Sequence, residues 1–368
     1  MKFPVIRPEI PSVQAWAGYL EEAYGLRRFS NYGPLSHRLE SRLCEEWGAD
    51  CTACVLASSG TAAIAAPLIA RGISGKVLLP AFTFPATLSA IKMAGATPVL
   101  MDVCRGDWRV SADALDDAFA ATGAQAAIVL CPFGMRSEFS AHARIASRHG
   151  GILIIDNAAG LGVDRMPVES SPDVFEAYSL HATKPFAIGE GGVTFANGSS
   201  EKALRRALNF GLPVAVAGEL PTWGINGKLS EFHAAVGLAV ADVFNSQLRA
   251  RRDMAARYIA ALLDFPEVCF CREPDDSAWQ LFPLLLPTPE SADAFEEQTS
   301  LLGMEIRRYY RPSLSSHFAV ERVAECPVSE DLSQRMCCVP VYSNASESEA
   351  DEMVAIASSA LCRSLGRT

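Results

Sequence analysis

A lysine stands in an unusual setting in the stretch SLHATKPFAIGEGG, residues 179–192. Lys184 lies between a strand-like apolar run and a Gly-Glu-Gly-Gly turn. An unpaired buried ammonium is costly, so such a lysine is paired, deprotonated or covalently used, unless it only snorkels out of a strand end. His181, three residues earlier, is a candidate catalytic group that lines the same site, although a lone histidine is more often structural.

Two other stretches end apolar runs with groups that suit a charged ligand. Asp156 closes the run ILIID, where a carboxylate is either an active-site group or a helix cap. In SSGTAAIAAPLIA, Ser59, Gly60 and Thr61 begin an alanine-rich helix, whose N–H groups and dipole suit a phosphate; a serine N-cap is the alternative. Phe84 follows a strand-like run and is either a stacking platform for a flat ring or a core aromatic.

Together these groups match the needs of one cofactor, pyridoxal 5′-phosphate. The lysine would form the Schiff base, the helix start would hold the phosphate, and the carboxylate would face the pyridinium nitrogen. A dinucleotide-binding oxidoreductase would instead need G-x-G-x-x-G directly after its first strand, and GEGG does not match that pattern.

The elements that must position these groups follow an alternating pattern. From Lys76 onward, short apolar runs alternate with alanine-rich helical stretches such as 111–121 and 138–149, which predicts an α/β domain with a largely parallel sheet. Sites in such sheets lie at the carboxyl ends of the strands. A long helical run over 229–265 is expected to bridge two domains, a large one over 1–245 and a smaller α+β domain over 246–368.

Composition narrows the function classes further. The chain has 368 residues, which suggests about two domains, and its net charge of -10 offers no basic field for nucleic acid. The 11 cysteines and the absence of a signal-like N-terminus favour a cytoplasmic, reducing location. Cys51 and Cys54 have C-x-x-C spacing without a second pair, so buried thiols are expected and no metal site. No apolar run is long enough for a membrane span.

The motifs, in their order along the chain, resemble the DegT-type sugar aminotransferases among the fold-type I pyridoxal phosphate enzymes. The resemblance rests on SSGTAAI, PAFTFPAT, IIDNAAG, SLHATK with GEGG, and GINGKLSEFHAAVGL, and it extends from NYGPLSHRLE to CPVSEDLSQRM. It implies a large domain with a mostly parallel seven-stranded sheet and a smaller α+β C-terminal domain.

The resemblance also implies roles for individual residues. Lys184 would bind the cofactor and later move a proton, and Asp156 would keep the pyridine nitrogen protonated. Phe84 would stack on the ring. Asn226 would reach the phosphate of the neighbouring subunit, which requires a homodimer with composite active sites. The residues expected to hold the phosphate are Ser59, Gly60, Thr61 and Ser179.

Two positions depart from the family pattern. A glutamine that touches the cofactor's ring hydroxyl is usual three residues after the aspartate, and this chain has Ala159 there; Asn157 or a water would have to replace it. The histidine usual after the Y-x-P block is also missing, since Ser313 and Leu314 fall at that place.

The resemblance implies transfer of an amino group from glutamate to a nucleotide-linked keto-sugar, at C-4 of a dTDP-4-keto-6-deoxyhexose. The alternatives are amination at C-3, a carbocyclic ketone as substrate, or a regulator that binds the cofactor without turnover. The stretches RFSNYGP and RRYYRP combine aromatics with arginines, as a sugar and a diphosphate would require, although a solvated basic turn is an equal alternative. The candidate substrate contacts are Tyr32, Arg307, Arg308, Tyr309, Tyr310 and Arg311.

Overall fold

A computed structural model describes residues 1–48, 52–163, 171–213, 222–271, 277–317 and 319–367. Its main sheet has the strand order β1-β7-β6-β5-β4-β2-β3-β9, and β10 and β8 form a separate pair. The strands are β1 Ala53–Ala57, β2 Lys76–Pro80, β3 Thr97–Met101, β4 Ala126–Leu130, β5 Ile152–Asp156, β6 Val174–Ser179, β7 Gly192–Ala196, β8 Leu281–Leu285, β9 Glu321–Arg322 and β10 Met336–Pro340.

Helices fill most of the connections between these strands. The helices are α1 Val13–Leu26, α2 Pro34–Trp47, α3 Gly60–Ala70, α4 Pro85–Met93, α5 Ala112–Thr122, α6 Ser140–Arg148, α7 Glu201–Ala207, α8 Glu231–Leu262, α9 Pro289–Leu301, α10 Leu314–His317, α11 Pro327–Arg335 and α12 Glu347–Ser364. Both helices predicted within 111–149 are present as α5 and α6.

The predicted α/β fold with a mostly parallel sheet is confirmed. Along the spatial order β6-β5-β4-β2-β3-β9, neighbouring strands pair in parallel. Among the described strands of this sheet, β7 alone is antiparallel to its neighbours β1 and β6. The sheet contains the seven strands β1–β7, the number expected, and the two-residue β9 is added at its edge. The carboxyl ends of β1, β2, β5 and β6 therefore meet at one edge of the sheet.

Apolar side chains cover both faces of the sheet. The strands β1, β4, β5 and β7 are buried along their whole length. On one face the sheet packs against the alanine-rich α3 and against α4. On the other face, β4 and β5 pack against α5 and α6, whereas β1 and β7 pack against α2 and α8. A strand buried on both faces must be apolar throughout, which explains the continuous aliphatic runs in the sequence.

The long helix expected over 229–265 is present as α8, which contacts α1 and α2 as well as α12. Its first half contributes Phe244 to a core with α1 and α2, and its second half contributes Tyr258 to the core of the C-terminal part. The predicted boundary between 245 and 246 falls inside α8 and stays a prediction. Within the described ranges, no helix combines the length and apolar character needed to cross a membrane.

Candidate active site

The end of β1 and the start of α3 lie against the end of β6. Ser59 is the N-cap of α3, and its Oγ accepts a hydrogen bond from the Ala62 N–H at 3.1 Å. A Cβ added to Gly60 would lie 2.8 Å from the Cβ of Ser179, so this close approach requires glycine. Thr61 follows in the first turn of α3. The four predicted phosphate-binding residues thus come together at a helix N-terminus, where an anion is favoured.

Asp156 lies at the carboxyl end of β5 and is fully enclosed. Its Oδ2 accepts a hydrogen bond from Thr87 Oγ1 at 2.7 Å, whereas its buried Oδ1 makes no hydrogen bond that the structure describes. Burial raises the pKa of Asp156, and the Thr87 hydroxyl, the nearby charge of Lys184 and the Ala158 N–H partly oppose that effect. A buried carboxylate oxygen without a partner fits a positively charged or N–H-bearing ligand.

Lys184 lies on the turn between β6 and β7, a turn that backbone hydrogen bonds hold in place. Its Nζ donates a hydrogen bond to Oε1 of Gln280 at 3.0 Å. Burial lowers the pKa of Lys184 from 10.5 to about 8, and the charge of Asp156 acts in the opposite direction. An amine with this pKa is neutral in a useful fraction of molecules near neutral pH, which a nucleophile needs.

His181 is part of the same turn, and the described contacts of its imidazole are with other residues of that turn. Nδ1 lies 2.9 Å from Oγ1 of Thr183, and Nε2 lies 3.4 Å from Oε1 of Glu190. The His181 carbonyl accepts a hydrogen bond from the Lys184 N–H at 2.9 Å. The catalytic role predicted for His181 stays a prediction, and its described contacts are those of a side chain that shapes the turn.

Three predicted residues around the ring position have distinct settings. Phe84 is the N-cap residue of α4 and is 54% exposed, so a face of its ring is accessible for stacking. Ala159 is buried and offers no side-chain donor at the place of the family glutamine. Asn157 donates from Nδ2 to Oε1 of Glu176 at 2.8 Å, so that part of its amide is already engaged.

Part of the predicted substrate segment reaches this region. Tyr310 packs edge-on against Phe82, with ring centroids 5.0 Å apart, and stacks on Phe133. Burial of its hydroxyl raises the pKa of Tyr310, and the neighbouring Tyr309 and the negative charge of Asp156 add to the effect. Tyr309 is half-buried beside it. Arg311 is 41% exposed and lies 3.2 Å from Oδ1 of Asp293.

Two predicted substrate contacts have structural partners instead. Tyr32 is buried, and its hydroxyl donates to the Arg205 carbonyl at 3.1 Å. Arg308 is also buried; its Nη1 lies 2.8 Å from Asp293 and 3.2 Å from Glu296. These contacts argue against direct substrate binding by Tyr32 or Arg308, because both polar groups are already used inside the protein.

Asn226 lies outside this cluster on the surface. It is exposed and accepts a hydrogen bond from Lys228 Nζ at 2.8 Å. The next residue, Gly227, accepts a 2.6 Å hydrogen bond from the Ser58 N–H, so the Gly224–Lys228 segment runs beside the start of α3. Its predicted role toward a neighbouring subunit stays a prediction. Cys51 of the C-x-x-C pair is outside the described residues.

Sequence reasoning missed two residues that contact the site, Thr87 and Gln280. Thr87 lies in the PAFTFPAT stretch, four residues after Thr83, and its Oγ1 lies 3.0 Å from that of Thr83. Its place in the first turn of a helix after a strand is a usable signal. Gln280 is 96 residues from Lys184 and precedes an apolar strand, so no local pattern indicates the contact.

The arrangement fits pyridoxal 5′-phosphate on three structural grounds. Among the described residues, the buried Oδ1 of Asp156 has no hydrogen-bond partner. The Gly60 turn provides a cradle that a Cβ would fill, and the Lys184 amine nearby has a lowered pKa. Each feature suits a different part of the cofactor: the ring nitrogen, the phosphate and the aldehyde carbon.

Comparison with known proteins gives an independent result. The model of the DegT/DnrJ/EryC1/StrS aminotransferase family matches residues 14–357. The dTDP-4-amino-4,6-dideoxy-D-glucose transaminase of Shigella dysenteriae is 28% identical over 352 residues, covering 93% of this chain and 94% of that protein. The protein of the same name from Escherichia coli is 25% identical over 356 residues, covering 94% and 95%.

Solved structures agree with these sequence matches. A DegT DnrJ EryC1 StrS aminotransferase from Brucella abortus superposes with a TM-score of 0.84 at 27% identity, covering 94% of each chain. DesI, crystallised in the presence of its TDP-sugar product, superposes with a TM-score of 0.87 at 26% identity, covering 99% of this chain and 93% of that one.

Proposed function

Because the chain belongs to the DegT/DnrJ/EryC1/StrS aminotransferase family, we propose that Lys184 and Asp156, with the small residues at the start of α3, form the active site of a sugar aminotransferase. The chain is an aminotransferase that uses pyridoxal 5′-phosphate. The observation that carries the site assignment is the half-buried Lys184 amine, with its lowered pKa, near an Asp156 carboxylate oxygen that is buried and has no hydrogen-bond partner in the described part of the chain.

The roles of the two residues follow from their settings. When bound, the cofactor supplies an electron sink for the charge left as a proton leaves the substrate carbon. Lys184 would hold the cofactor covalently, and its amine would carry the proton to and from the reacting carbon. The negative charge of Asp156 would keep a proton on the ring nitrogen. The Thr87 hydroxyl favours that charge, since its hydrogen bond lowers the pKa of Asp156 against the effect of burial.

For the substrate, we favour a keto-sugar linked to a thymidine diphosphate, with glutamate as donor and amination at C-4. The names of the two bacterial relatives, each a dTDP-4-amino-4,6-dideoxy-D-glucose transaminase, support this choice. So does the TDP-sugar product of DesI. Arg311 is an accessible arginine proposed to contact the diphosphate, and Tyr309 and Tyr310 are proposed to contact the sugar.

The substrate proposal is tested by incubating the purified enzyme with a thymidine-diphosphate 4-keto-6-deoxyhexose and glutamate. We expect an amino sugar and 2-oxoglutarate. A 3-keto-sugar nucleotide and a free cyclic ketone are assayed in parallel, because a C-3 or carbocyclic enzyme would prefer one of them. Amination of the free ketone alone would overturn the nucleotide-sugar proposal.

The proposed active form is a two-fold dimer in which Asn226 completes the phosphate site of the partner subunit. Its exposure and its position beside the start of α3 support this role. The test mixes two inactive variants, Lys184→Ala and Asn226→Asp, after reversible dissociation. Composite sites predict that mixed dimers regain part of the activity. A fully active monomer in sedimentation experiments would contradict the dimer.

A further inference from the structure

We propose that Gln280 is a positioning residue, whose amide oxygen holds the Lys184 amine in place whenever that amine is not bound to the cofactor. The contact joins Nζ of Lys184 to Oε1 of Gln280 at 3.0 Å and links the segment before β8 to the turn after β6. The inference rests on the proposed role of Lys184 as the reacting lysine, and it is independent of which ketone is the substrate.

The orientation of the Gln280 amide is set by its second hydrogen bond. Nε2 of Gln280 donates to the Thr183 carbonyl at 3.2 Å, and a carbonyl oxygen can only accept. The amino group of the amide must therefore face Thr183, and Oε1 must face Lys184. An amide turned the other way would place two donors against the Lys184 ammonium and leave two carbonyl oxygens facing each other.

The backbone that carries Gln280 is anchored at the carboxyl edge of the main sheet. The Gln280 N–H donates to the Phe133 carbonyl at 3.0 Å, and the Ala278 N–H donates to the Gly134 carbonyl at 2.8 Å. Both acceptors lie in the short turn that follows β4, and β4 is paired with the strand that ends in Asp156. Gln280 thus has a fixed position beside the site, although it belongs to the C-terminal part of the chain.

A second anchor acts on the residue before it. Trp279 is fully buried and has a φ of 49°, a left-handed conformation that is uncommon for a large side chain. The buried Arg251 of α8 donates from Nη1 to the carbonyls of Trp279 and Val341, at 3.0 Å each. Strained backbone that is held by several contacts is typical of functional sites, and here it directs the Gln280 side chain to Lys184.

A neutral acceptor has a specific advantage at this position. Asp156 is the charged group that bears on Lys184, and it already opposes the effect of burial on the pKa of the amine. Tyr310 is nearby, but burial raises its pKa well above the usual value, so it stays uncharged. The carboxylate of Glu190, in the same turn as Lys184, has the His181 imidazole as its described partner. Gln280 therefore fixes the amine without adding a negative charge that would keep it protonated.

The experiment compares three variants of the full-length enzyme. Gln280→Leu removes the acceptor at similar size, and Gln280→Glu keeps an acceptor of the same shape but adds a charge. Gln247→Leu is the matched control, because Gln247 is also a buried glutamine but lies on α8 with an unpartnered Oε1. Each apoenzyme is mixed with pyridoxal 5′-phosphate across a pH series, and covalent capture is followed by absorbance and fixed with borohydride.

We expect the pH midpoint of capture to rise by about one unit or more in Gln280→Glu, because an opposite charge at contact distance favours the ammonium. In Gln280→Leu we expect capture to slow by about tenfold, the loss typical of one hydrogen bond to a charged group. The kcat of this variant should fall more than its KM changes. Gln247→Leu should match the wild type in all three measurements.

The possible failures are distinguishable. If borohydride fixes the cofactor of the wild-type enzyme to a lysine other than Lys184, the proposed active site is wrong. If it is fixed to Lys184, but Gln280→Glu keeps the wild-type midpoint, the positioning role is overturned. Should Gln280→Leu fail to fold, the Gln280→Glu midpoint alone decides the question, since that variant preserves size and shape.

Discussion

The turn 181–190 and the segment 307–312 both bring basic side chains into partly buried surroundings, but their charges have different partners. Lys184 donates to a neutral amide, and burial lowers its pKa to about 8. Arg308 contacts the carboxylates of Asp293 and Glu296. A cation that is paired with carboxylates has a structural role and is not available for a reaction, whereas an amine that is bonded to a neutral acceptor stays available to react.

The largest effect is expected from Lys184→Ala, which removes the group that binds the cofactor covalently. Turnover should fall by at least about 10³-fold, and the borohydride-fixed adduct should disappear. The exposed Lys202 of α7 provides the control, and Lys202→Ala should keep wild-type activity. Measurable transamination at more than a tenth of the wild-type rate in Lys184→Ala would show that the two regions do not differ as argued.

The second prediction compares two aspartates that both end parallel strands. Asp156→Asn should leave the cofactor bound but lower kcat by about 10²–10⁴-fold, because a neutral amide cannot keep the ring nitrogen protonated. Asp102 follows β3, and its carboxylate accepts hydrogen bonds from the Val328 and Ser329 N–H groups at the start of α11.

Asp102→Asn is therefore the matched control, since it weakens a helix cap. It should lower the free energy of unfolding by about 1 kcal/mol and leave kcat unchanged. Thermal unfolding and steady-state kinetics on both variants separate the two cases. Equal kinetic effects at both positions would mean that Asp156 is only another strand-end cap.

The contrast between the regions also explains what the sequence could predict. The residues proposed for the phosphate, the ring and the Schiff base could be predicted because each follows a strand, and a parallel sheet brings the carboxyl ends of its strands to one edge. Gln280 could not be found in this way, because it reaches Lys184 from 96 residues away through a segment that reads as ordinary apolar strand. The spacing of residues within a motif carries no information about contacts between segments that are far apart in the sequence.

The predictions for Tyr32 and Arg308 lost their support for a related reason. Aromatics and arginines in one stretch suit a sugar diphosphate, but the same residue types suit a buried ion pair and a core hydroxyl. The deciding partners, Asp293 and the Arg205 carbonyl, lie 15 and 173 residues away. Only the contacts of Arg308 with α9, and of the Tyr32 hydroxyl with α7, show which use applies.

A smaller effect is expected from Gly60→Ala, which tests the phosphate cradle. The added Cβ would lie 2.8 Å from the Cβ of Ser179 and 3.1 Å from its Oγ, so the helix start and β6 must separate. We expect the affinity for pyridoxal 5′-phosphate to fall about tenfold, as for the loss of one good charge-assisted hydrogen bond. Gly18 lies within α1 with nothing within 4 Å of an added Cβ, so Gly18→Ala should leave the affinity unchanged. Unchanged affinity in Gly60→Ala would place the phosphate elsewhere.

The smallest kinetic effect, and the finest test of the comparison, comes from the two neighbouring arginines. Arg311 is 41% exposed and its partner Asp293 is 59% exposed, so their ion pair is weak and the guanidinium can turn toward a diphosphate. Arg311→Ala should raise the KM for the sugar nucleotide by about fivefold and leave kcat within about twofold, since it removes binding that ground state and transition state share.

Arg308 is 6% exposed and also donates to the Gln334 carbonyl. Arg308→Ala should lower the free energy of unfolding by about 1–3 kcal/mol, because it removes the donor of that carbonyl and of Glu296 and leaves Asp293 with Arg311 alone. Its KM should stay near the wild-type value when measured below the unfolding transition. If Arg308→Ala instead raises KM without loss of stability, its guanidinium reaches the substrate, and carboxylate pairing in this segment does not separate structural from substrate-binding arginines.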